Sequence, residues 1–65
     1  MIIFINNEAH EVAESSTIHE AAKLFGAKPP YAILVNDTFL PLSQHNHFVL
    51  TQDDRVEVIS AIQGG

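Results

Sequence analysis

The sequence has no cysteine and little glycine, with 3 glycines among its 65 residues. Without cysteine, the chain has no disulfide to reinforce its fold, no thiolate for a metal site and no cysteine nucleophile. One glycine lies inside the chain and the other two are its last residues, so the sequence has no glycine-rich phosphate-binding loop. A chain this short forms one domain at most, whose core supplies only about 3–5 kcal/mol of stability.

Positive charge is also scarce, since Lys and Arg total 3 against 8 Asp and Glu and the formal net charge is -5. This balance argues against nucleic-acid binding, because the phosphate backbone would be repelled, and it suits association with a basic partner. No run approaches the roughly 20 apolar residues of a membrane span, and no segment resembles a signal peptide. We therefore expect a cytoplasmic protein that binds no membrane and no nucleic acid.

Two short segments at the start of the chain predict a β-hairpin. Met1–Ile5 is a continuous apolar run rich in β-branched residues, which favours a strand. Ala9–Ala13 is expected to be a second strand, with alternate residues on opposite faces. Asn6-Asn7 between them is a turn signal, because Asn tolerates positive φ and bonds its own backbone.

A helix is predicted after the hairpin by the residues at its two ends. Thr17 and Glu20 have the spacing of a capping box, in which each side chain accepts a hydrogen bond from the other residue's backbone N–H. Gly26 is suited to end the helix in a left-handed conformation, and Pro29-Pro30 prevents any continuation. Four apolar residues fall on one helical face: Ile18, Ala21, Ala22 and Phe25.

Three further strands are expected, over Tyr31–Val35, Thr38–Leu40 and Arg55–Ile62. Asn36-Asp37 is a turn signal between the first two, and the His-rich segment 42–48 is predicted to be a loop or a short helical turn. One helix laid across one sheet buries both apolar faces most economically. The order β-β-α-β-β-β therefore predicts an α+β fold with one main helix on a mixed sheet of four to five strands.

The sequence offers no arrangement of residues that would make this chain an enzyme by itself. None of its serines lies in a nucleophile motif, and a chain this small lacks the walls of a deep substrate pocket. His45 and His47 would supply only two metal ligands, so no metal site is expected. We interpret both histidines as solvent-exposed loop side chains.

The ending Gln63-Gly64-Gly65 is the most informative feature of the sequence. It follows the last predicted strand directly, which gives a tail that is anchored yet slender. Glycine has no Cβ, so the tip can thread a narrow channel, and the Gly65 carboxylate has no steric cover. We predict a folded domain over residues 1–62 and a flexible tail over residues 63–65 that presents this carboxylate to a partner.

With these features, the sequence resembles the ThiS family of the ubiquitin-like β-grasp superfold over essentially the whole chain. Only the diglycine end is specific for function, because β-grasp domains do many jobs. The other features report the fold. The segments that carry the resemblance are Met1–Asn6, Thr17–Glu20, Tyr31–Asn36, Leu40-Pro41 and Ile62–Gly65.

The resemblance implies a sulfur carrier for thiazole formation in thiamine biosynthesis. A ThiF-like adenylyltransferase would use ATP and magnesium to adenylate the Gly65 carboxylate, and a sulfur-relay protein would supply the sulfur that converts it to a thiocarboxylate. A ThiG-like thiazole synthase would then take that sulfur. Gly64, Gln63 and Ile62 would enter the partner's active site, while this chain would bind no cofactor and act as a co-substrate rather than an enzyme.

Strand alternation also predicts a surface for the partner. If Ile3 points toward the helix, Ile2 and Phe4 point away from it, and Ile59 of the last strand also lies on the outer side. We predict that Ile2, Phe4 and Ile59 form an exposed apolar patch that binds the partner. The alternative is that the loop over residues 42–50 covers this patch.

Three other functions remain open from the sequence. A MoaD-like carrier for molybdopterin synthesis shares the fold and the diglycine, although such chains tend to be longer. A ubiquitin-like protein modifier would use the same activation and then form covalent conjugates. A pure interaction module would carry Gly64-Gly65 by accident, and deletion of Gly65 would leave its function intact.

Overall fold

The structure is a computed structural model that describes residues 1–60 of the chain. No helix within this range has the length and apolar character needed to cross a membrane. The predicted order of strands and helix is confirmed. The elements of the described part are β1 (Ile2–Ile5), β2 (Glu8–Glu11), α1 (Ile18–Phe25), β3 (Tyr31–Val35), β4 (Thr38–Leu40), a 3-10 helix (Leu42–Gln44) and β5 (Arg55–Ser60).

The strands form one 5-stranded mixed sheet with the order β2-β1-β5-β3-β4. The pairs β1–β2 and β3–β4 are antiparallel hairpins. β5 lies between the two hairpins, parallel to β1 and antiparallel to β3. The last described strand in the chain is therefore the central strand of the sheet, and the predicted α+β architecture is confirmed.

The core lies between α1 and one face of the sheet. Ile3 and Ile5 of β1 are buried while Ile2 and Phe4 are half-buried, as the two-residue period of a strand requires. Burying a large aliphatic side chain contributes about 1.5–3 kcal/mol, so this helix–sheet contact is the main source of stability in a chain without disulfides. The buried hydrophobic residues are Ile3, Ile5, Val12, Ile18, Ala21, Ala22, Ile33, Val35, Leu50, Val56 and Val58.

Both predicted ends of α1 are confirmed. Thr17 Oγ1 accepts a hydrogen bond from the Glu20 backbone N–H at 3.2 Å, and Glu20 Oε1 accepts one from the Thr17 N–H at 2.8 Å. At the other end, Gly26 has a φ of 87° and its N–H donates to the Ala22 carbonyl at 3.1 Å. A left-handed residue at this position favours glycine and ends the helix.

The two hairpins use the same kind of turn. The φ angles are 50° and 70° at Asn6 and Asn7, and 49° and 70° at Asn36 and Asp37. Positive φ at both central residues is what a type I′ hairpin turn requires. The flanking sequences also correspond, since Ile-Phe-Ile-Asn-Asn-Glu at residues 3–8 matches Ile-Leu-Val-Asn-Asp-Thr at residues 33–38 in character.

The strand limits differ from the predicted ones at three places. β1 begins at Ile2, and β2 spans Glu8–Glu11 instead of Ala9–Ala13. The two-residue turn places Glu8 directly opposite Ile5, so pairing resumes one residue earlier than expected. β5 is confirmed from Arg55 to Ser60, and positions 61–62 of the predicted strand lie outside the described residues.

The segment 42–50, between β4 and β5, packs against the start of α1. The Ile18 N–H donates to the Phe48 carbonyl and the His19 N–H to the His45 carbonyl, each at 3.0 Å. These carbonyls satisfy first-turn N–H groups that a helix leaves without partners of its own. Phe48 also packs against the core. The segment therefore lies beside the helix and does not cover the outer face of the sheet.

His45 is buried, with only 2% of its surface exposed, so the interpretation of this histidine as a solvent-exposed side chain is wrong. Its Nε2 lies 3.1 Å from the Leu40 carbonyl oxygen, which can only accept, so Nε2 carries the proton. Its ring stacks on Tyr31 with centroids 6.0 Å apart. The burial follows from the packing of its segment on α1, which local composition does not reveal. His47 is exposed, as predicted.

Candidate functional site

The residues predicted to carry the chemistry, Gly65, Gly64, Gln63 and Ile62, lie outside the described residues. The strand that leads to them is β5. The described part of the site therefore consists of the contacts that hold β5 and the surfaces next to its end. Ser60, the last residue of β5, precedes Gly65 by five positions.

Backbone pairing holds β5 on both sides. Its pairing with β3 extends over five residue pairs and continues to Ser60, which lies opposite Tyr31. Its parallel pairing with β1 ends where Ile5 lies opposite Val56. The terminal half of β5 therefore has a backbone partner on the β3 side up to its last described residue.

Two turn asparagines add side-chain hydrogen bonds to β5. Asn6 Oδ1 accepts from the Val58 N–H at 2.9 Å, and its Nδ2 donates to the Val58 carbonyl at 3.3 Å. Asn36 Oδ1 accepts from the Arg55 N–H at 3.0 Å, and its Nδ2 donates to the buried Asp54 carboxylate at 3.1 Å. Since the two hairpins clamp β5 near its start and near its middle, the strand is a rigid base for the residues that follow it.

Ile2, Phe4 and Ile59 share the outer face of the sheet, but the strand register separates them. Phe4 lies opposite Arg55, which places Ile59 four residues further along β5. At roughly 3.3 Å per residue this is about 13 Å along the strand direction. Ile2 and Phe4 are half-buried and Ile59 is 55% exposed. The three side chains therefore lie on one face in two separate places, and their role in partner binding remains a prediction.

A contiguous apolar surface lies around Ile59 on the outer face. Ala32 lies opposite Ile59, and Phe39 lies opposite Leu34 on the neighbouring strand. We call these four residues the outer apolar surface. Phe39, with 59% of its surface exposed, was not among the residues predicted from the sequence. The sequence contained the information needed to find it. Alternation along β4 puts Phe39 on the face opposite that of its partly buried neighbour Leu40.

The charged groups near β5 do not assemble a reactive centre within residues 1–60. Arg55 and Asp37 form an exposed ion pair at 3.7 Å, which contributes little to stability in high-dielectric solvent. No group of three His, Cys, Asp or Glu in this range is placed to hold a metal ion. What the arrangement provides is a firmly held strand end beside an apolar surface, which suits presentation of a tail to another protein.

Within residues 1–60, one α-helix lies across a mixed sheet whose central strand is the last strand of that range. This arrangement defines the chain as a protein of the ubiquitin-like β-grasp class. The model of the ThiS family matches residues 3–65, and the chain belongs to that family. ThiS proteins are small sulfur carriers of thiamine biosynthesis and are not catalysts. The family membership predicted from the sequence is thus confirmed.

Solved structures show the same fold. The crystal structure of the thiamine biosynthesis protein (ThiS) from Geobacter metallireducens has a TM-score of 0.82 and 20% identity, with 100% of both chains covered. An NMR solution structure of a thiamine biosynthesis protein from the same organism has a TM-score of 0.83 and 20% identity, covering 100% of this chain and 88% of that one. At this identity the likeness establishes the fold. No curated protein matches the sequence.

Proposed function

We propose that the Gly65 carboxylate is the sulfur-carrying group and that a ThiF-like adenylyltransferase activates it. A carboxylate oxygen attacks the α-phosphorus of magnesium-bound ATP, pyrophosphate leaves, and an acyl-adenylate forms. The terminal sulfur of a persulfide on a relay protein then attacks the acyl carbon, and AMP leaves. A second thiol cleaves the S–S bond of the acyl disulfide that forms, which frees the thiocarboxylate and leaves a disulfide between that thiol and the relay sulfur. The resulting thiocarboxylate donates its sulfur to a ThiG-like thiazole synthase in the cytoplasm.

The observation that supports this proposal is the position of β5. It is the central strand, it is paired to Ser60, and Gly65 follows Ser60 by five residues. A firm base limits where the tail can go, and fewer conformations then have to be ordered when a partner binds it. Gly64 and Gly65 bring no side chains that would obstruct a narrow channel. ATP and magnesium belong to the partner in this scheme, and this chain acts as its co-substrate.

The outer face is the surface we assign to the activating partner. Ile59 and Phe39 are both more than half exposed, and an apolar surface of this kind on a small domain often marks an interface. Phe4 lies on the same face next to Arg55, and Ile2 lies on that face two residues before Phe4. In this assignment Ile62 and Gln63 enter the partner's active site together with Gly64 and Gly65. The outer face of the sheet contacts the partner's surface outside that active site.

The test is the intact mass of the purified chain after incubation with ATP, a ThiF-like enzyme and a sulfur donor. The expected result is exchange of one oxygen for sulfur, located at Gly65 by fragmentation. Omission of ATP and deletion of Gly65 should each abolish the exchange. If several ThiF-like enzymes leave the mass unchanged while activating their own carriers, the proposal is wrong.

Complementation separates the thiamine role from the alternatives. The chain should restore growth of a thiamine auxotroph that lacks its own carrier, and the variant without Gly65 should not. Rescue of a molybdenum-cofactor defect in place of the thiamine defect would identify a MoaD-like carrier. Covalent conjugates to other proteins, with no thiocarboxylate on the free chain, would identify a protein modifier.

A further inference from the structure

Two clefts meet at Ser60, the last described residue of β5. One lies on the outer face between Pro30, Tyr31 and Ile59, and the other lies beside the end of α1, along residues 25–30. Ser60 lines both clefts. The loop that joins α1 to β3, residues 26–30, therefore lies directly beside the point from which the chain continues toward Gly65.

The covalent chain limits how far this loop can be from a partner that acts on Gly65. Gly65 follows Ser60 by five positions, and five extended residues span at most about 18 Å. An enzyme that encloses the Gly65 carboxylate must therefore place its own surface within that distance of Ser60. The surface around Ser60 is the outer face on one side and the 26–30 loop on the other.

Hydrogen bonds to the end of α1 hold the first two residues of the 26–30 loop in position. The Gly26 and Ala27 N–H groups both donate to the Ala22 carbonyl, at 3.1 and 3.0 Å. Phe25 and Ala27 pack against the core, while Lys28 is exposed. A preorganised contact surface loses less conformational entropy on binding than a mobile one.

Charge distinguishes this loop from the rest of the molecule. The chain has 3 cationic and 8 acidic residues, and the described residues that line the two clefts at Ser60 include Lys28 but no Asp or Glu. Arg55 is paired with Asp37, whereas Lys23 and Lys28 form no ion pair with any residue of the described range 1–60. Of these two lysines, Lys28 is the one that lines a cleft at Ser60. Among residues 1–60, Lys28 is thus a cation without an ion-pair partner, and it lies beside the strand that leads to Gly65.

We propose that the 26–30 loop is a contact surface for the enzyme that activates Gly65, with Lys28 facing an acidic side chain of that enzyme. This inference rests on the proposed function. The pairing orients the carrier because Lys28 is the one charged side chain among the described residues that line the two clefts at Ser60. Charges at an interface set partner choice and register more than they set raw affinity.

The test compares two charge reversals, Lys28→Glu and Lys23→Glu, in the full chain. Both lysines are exposed, but Lys23 lies on α1 beside Ala13, Ser16 and Glu20, away from Ser60. Dissociation constants for a ThiF-like adenylyltransferase are measured by calorimetry at low and high salt. Lys28→Glu should weaken binding about tenfold at low salt, and less at high salt, because a like-charge contact opposes docking. Lys23→Glu should change the dissociation constant less than twofold.

Thermal unfolding of both variants provides the control. Lys28→Glu should leave the midpoint nearly unchanged, whereas Lys23→Glu should lower it modestly, because it replaces a cation by an anion in the last turn of α1. Equal weakening by Lys28→Glu and Lys23→Glu would overturn the inference, because it would reduce the effect to net charge. If the wild-type chain binds the enzyme but is not adenylated, the proposed function is wrong. The ratio of the dissociation constants of Lys28→Glu and Lys23→Glu would still test the contact at the 26–30 loop. Wild-type chain that does not bind at all would refute both.

Discussion

The side chain of Asn6 bonds to both the N–H and the carbonyl of Val58, in place of the backbone groups that a longer β1 would supply. It accepts from the Val58 N–H at 2.9 Å and donates to the Val58 carbonyl at 3.3 Å. The backbone has already turned away at this point, because Asn6 has a φ of 50°. A single amide side chain therefore extends the hold of the first hairpin on β5 beyond the last backbone pair, toward the end of the strand that leads to Gly65.

Replacing Asn6 by Gly should destabilise the fold by about 1–3 kcal/mol, because two partly buried backbone groups of Val58 lose their partner. Glycine accepts the positive φ, so the loss reports the hydrogen bonds rather than backbone strain. Urea denaturation measures the free energy of unfolding. Asn7→Gly is the matched control, since Asn7 has a φ of 70° and lies in the same turn. Equal losses for the two variants would contradict the proposed hold on β5.

The capping box predicts a second stability effect. Thr17→Ala should lower the free energy of unfolding by about 1 kcal/mol, because the Glu20 N–H loses its acceptor at the start of α1. Thr51→Ala changes an exposed threonine outside the helix and should have a much smaller effect. Chemical denaturation of the two variants provides the comparison. A Thr17→Ala protein as stable as wild type would show that the cap is unimportant in solution.

His45 should behave as a structural residue. His45→Phe keeps an aromatic ring against Tyr31 but removes the hydrogen bond to the Leu40 carbonyl, and we expect a loss of about 1–2 kcal/mol. His47→Phe places the same substitution two positions away at an exposed site. Thermal unfolding should therefore separate the two variants clearly. Identical midpoints would mean that the Nε2 contact does not hold the 42–50 segment to the edge of the sheet.

The outer apolar surface gives a functional prediction. Ile59→Asp should reduce the second-order rate constant of adenylation about tenfold or more, because it buries a charge at the proposed interface without a partner. Leu24→Asp is the control, since Leu24 is 72% exposed but lies on the helix side. The rate is measured as ATP-dependent pyrophosphate release with a ThiF-like enzyme. Equal rates for the two variants would remove the outer face from the interface.

Phe4→Asp tests the other apolar position on the same face. Phe4 is half-buried on the side of the sheet opposite α1, so the variant should fold and should show weaker adenylation. Circular dichroism is the check on folding. Loss of secondary structure would show that the Phe4 ring is needed to stabilise the sheet. Phe4 would then not serve partner binding alone.

Short-range features of the chain could be predicted because their cause lies within a few residues. Thr17 and Glu20 cap the helix, Gly26 ends it, and Asn36-Asp37 turns the second hairpin, each as its local chemistry requires. The inward positions of β1 followed from alternation alone. Family membership could also be predicted, because the diglycine and the order of strands and helix can both be recognised directly in the sequence.

The sequence by itself determined the elements, their turns and caps, and the family to which the chain belongs. Only the tertiary structure decided that β5 lies between the hairpins, that His45 is buried, that Ile59 is next to Ala32 rather than Phe4, and that the 26–30 loop borders Ser60. The physical reason is distance along the chain. Strand order and loop packing depend on contacts such as Asn6 with Val58, which are 52 residues apart, and no local pattern reports them.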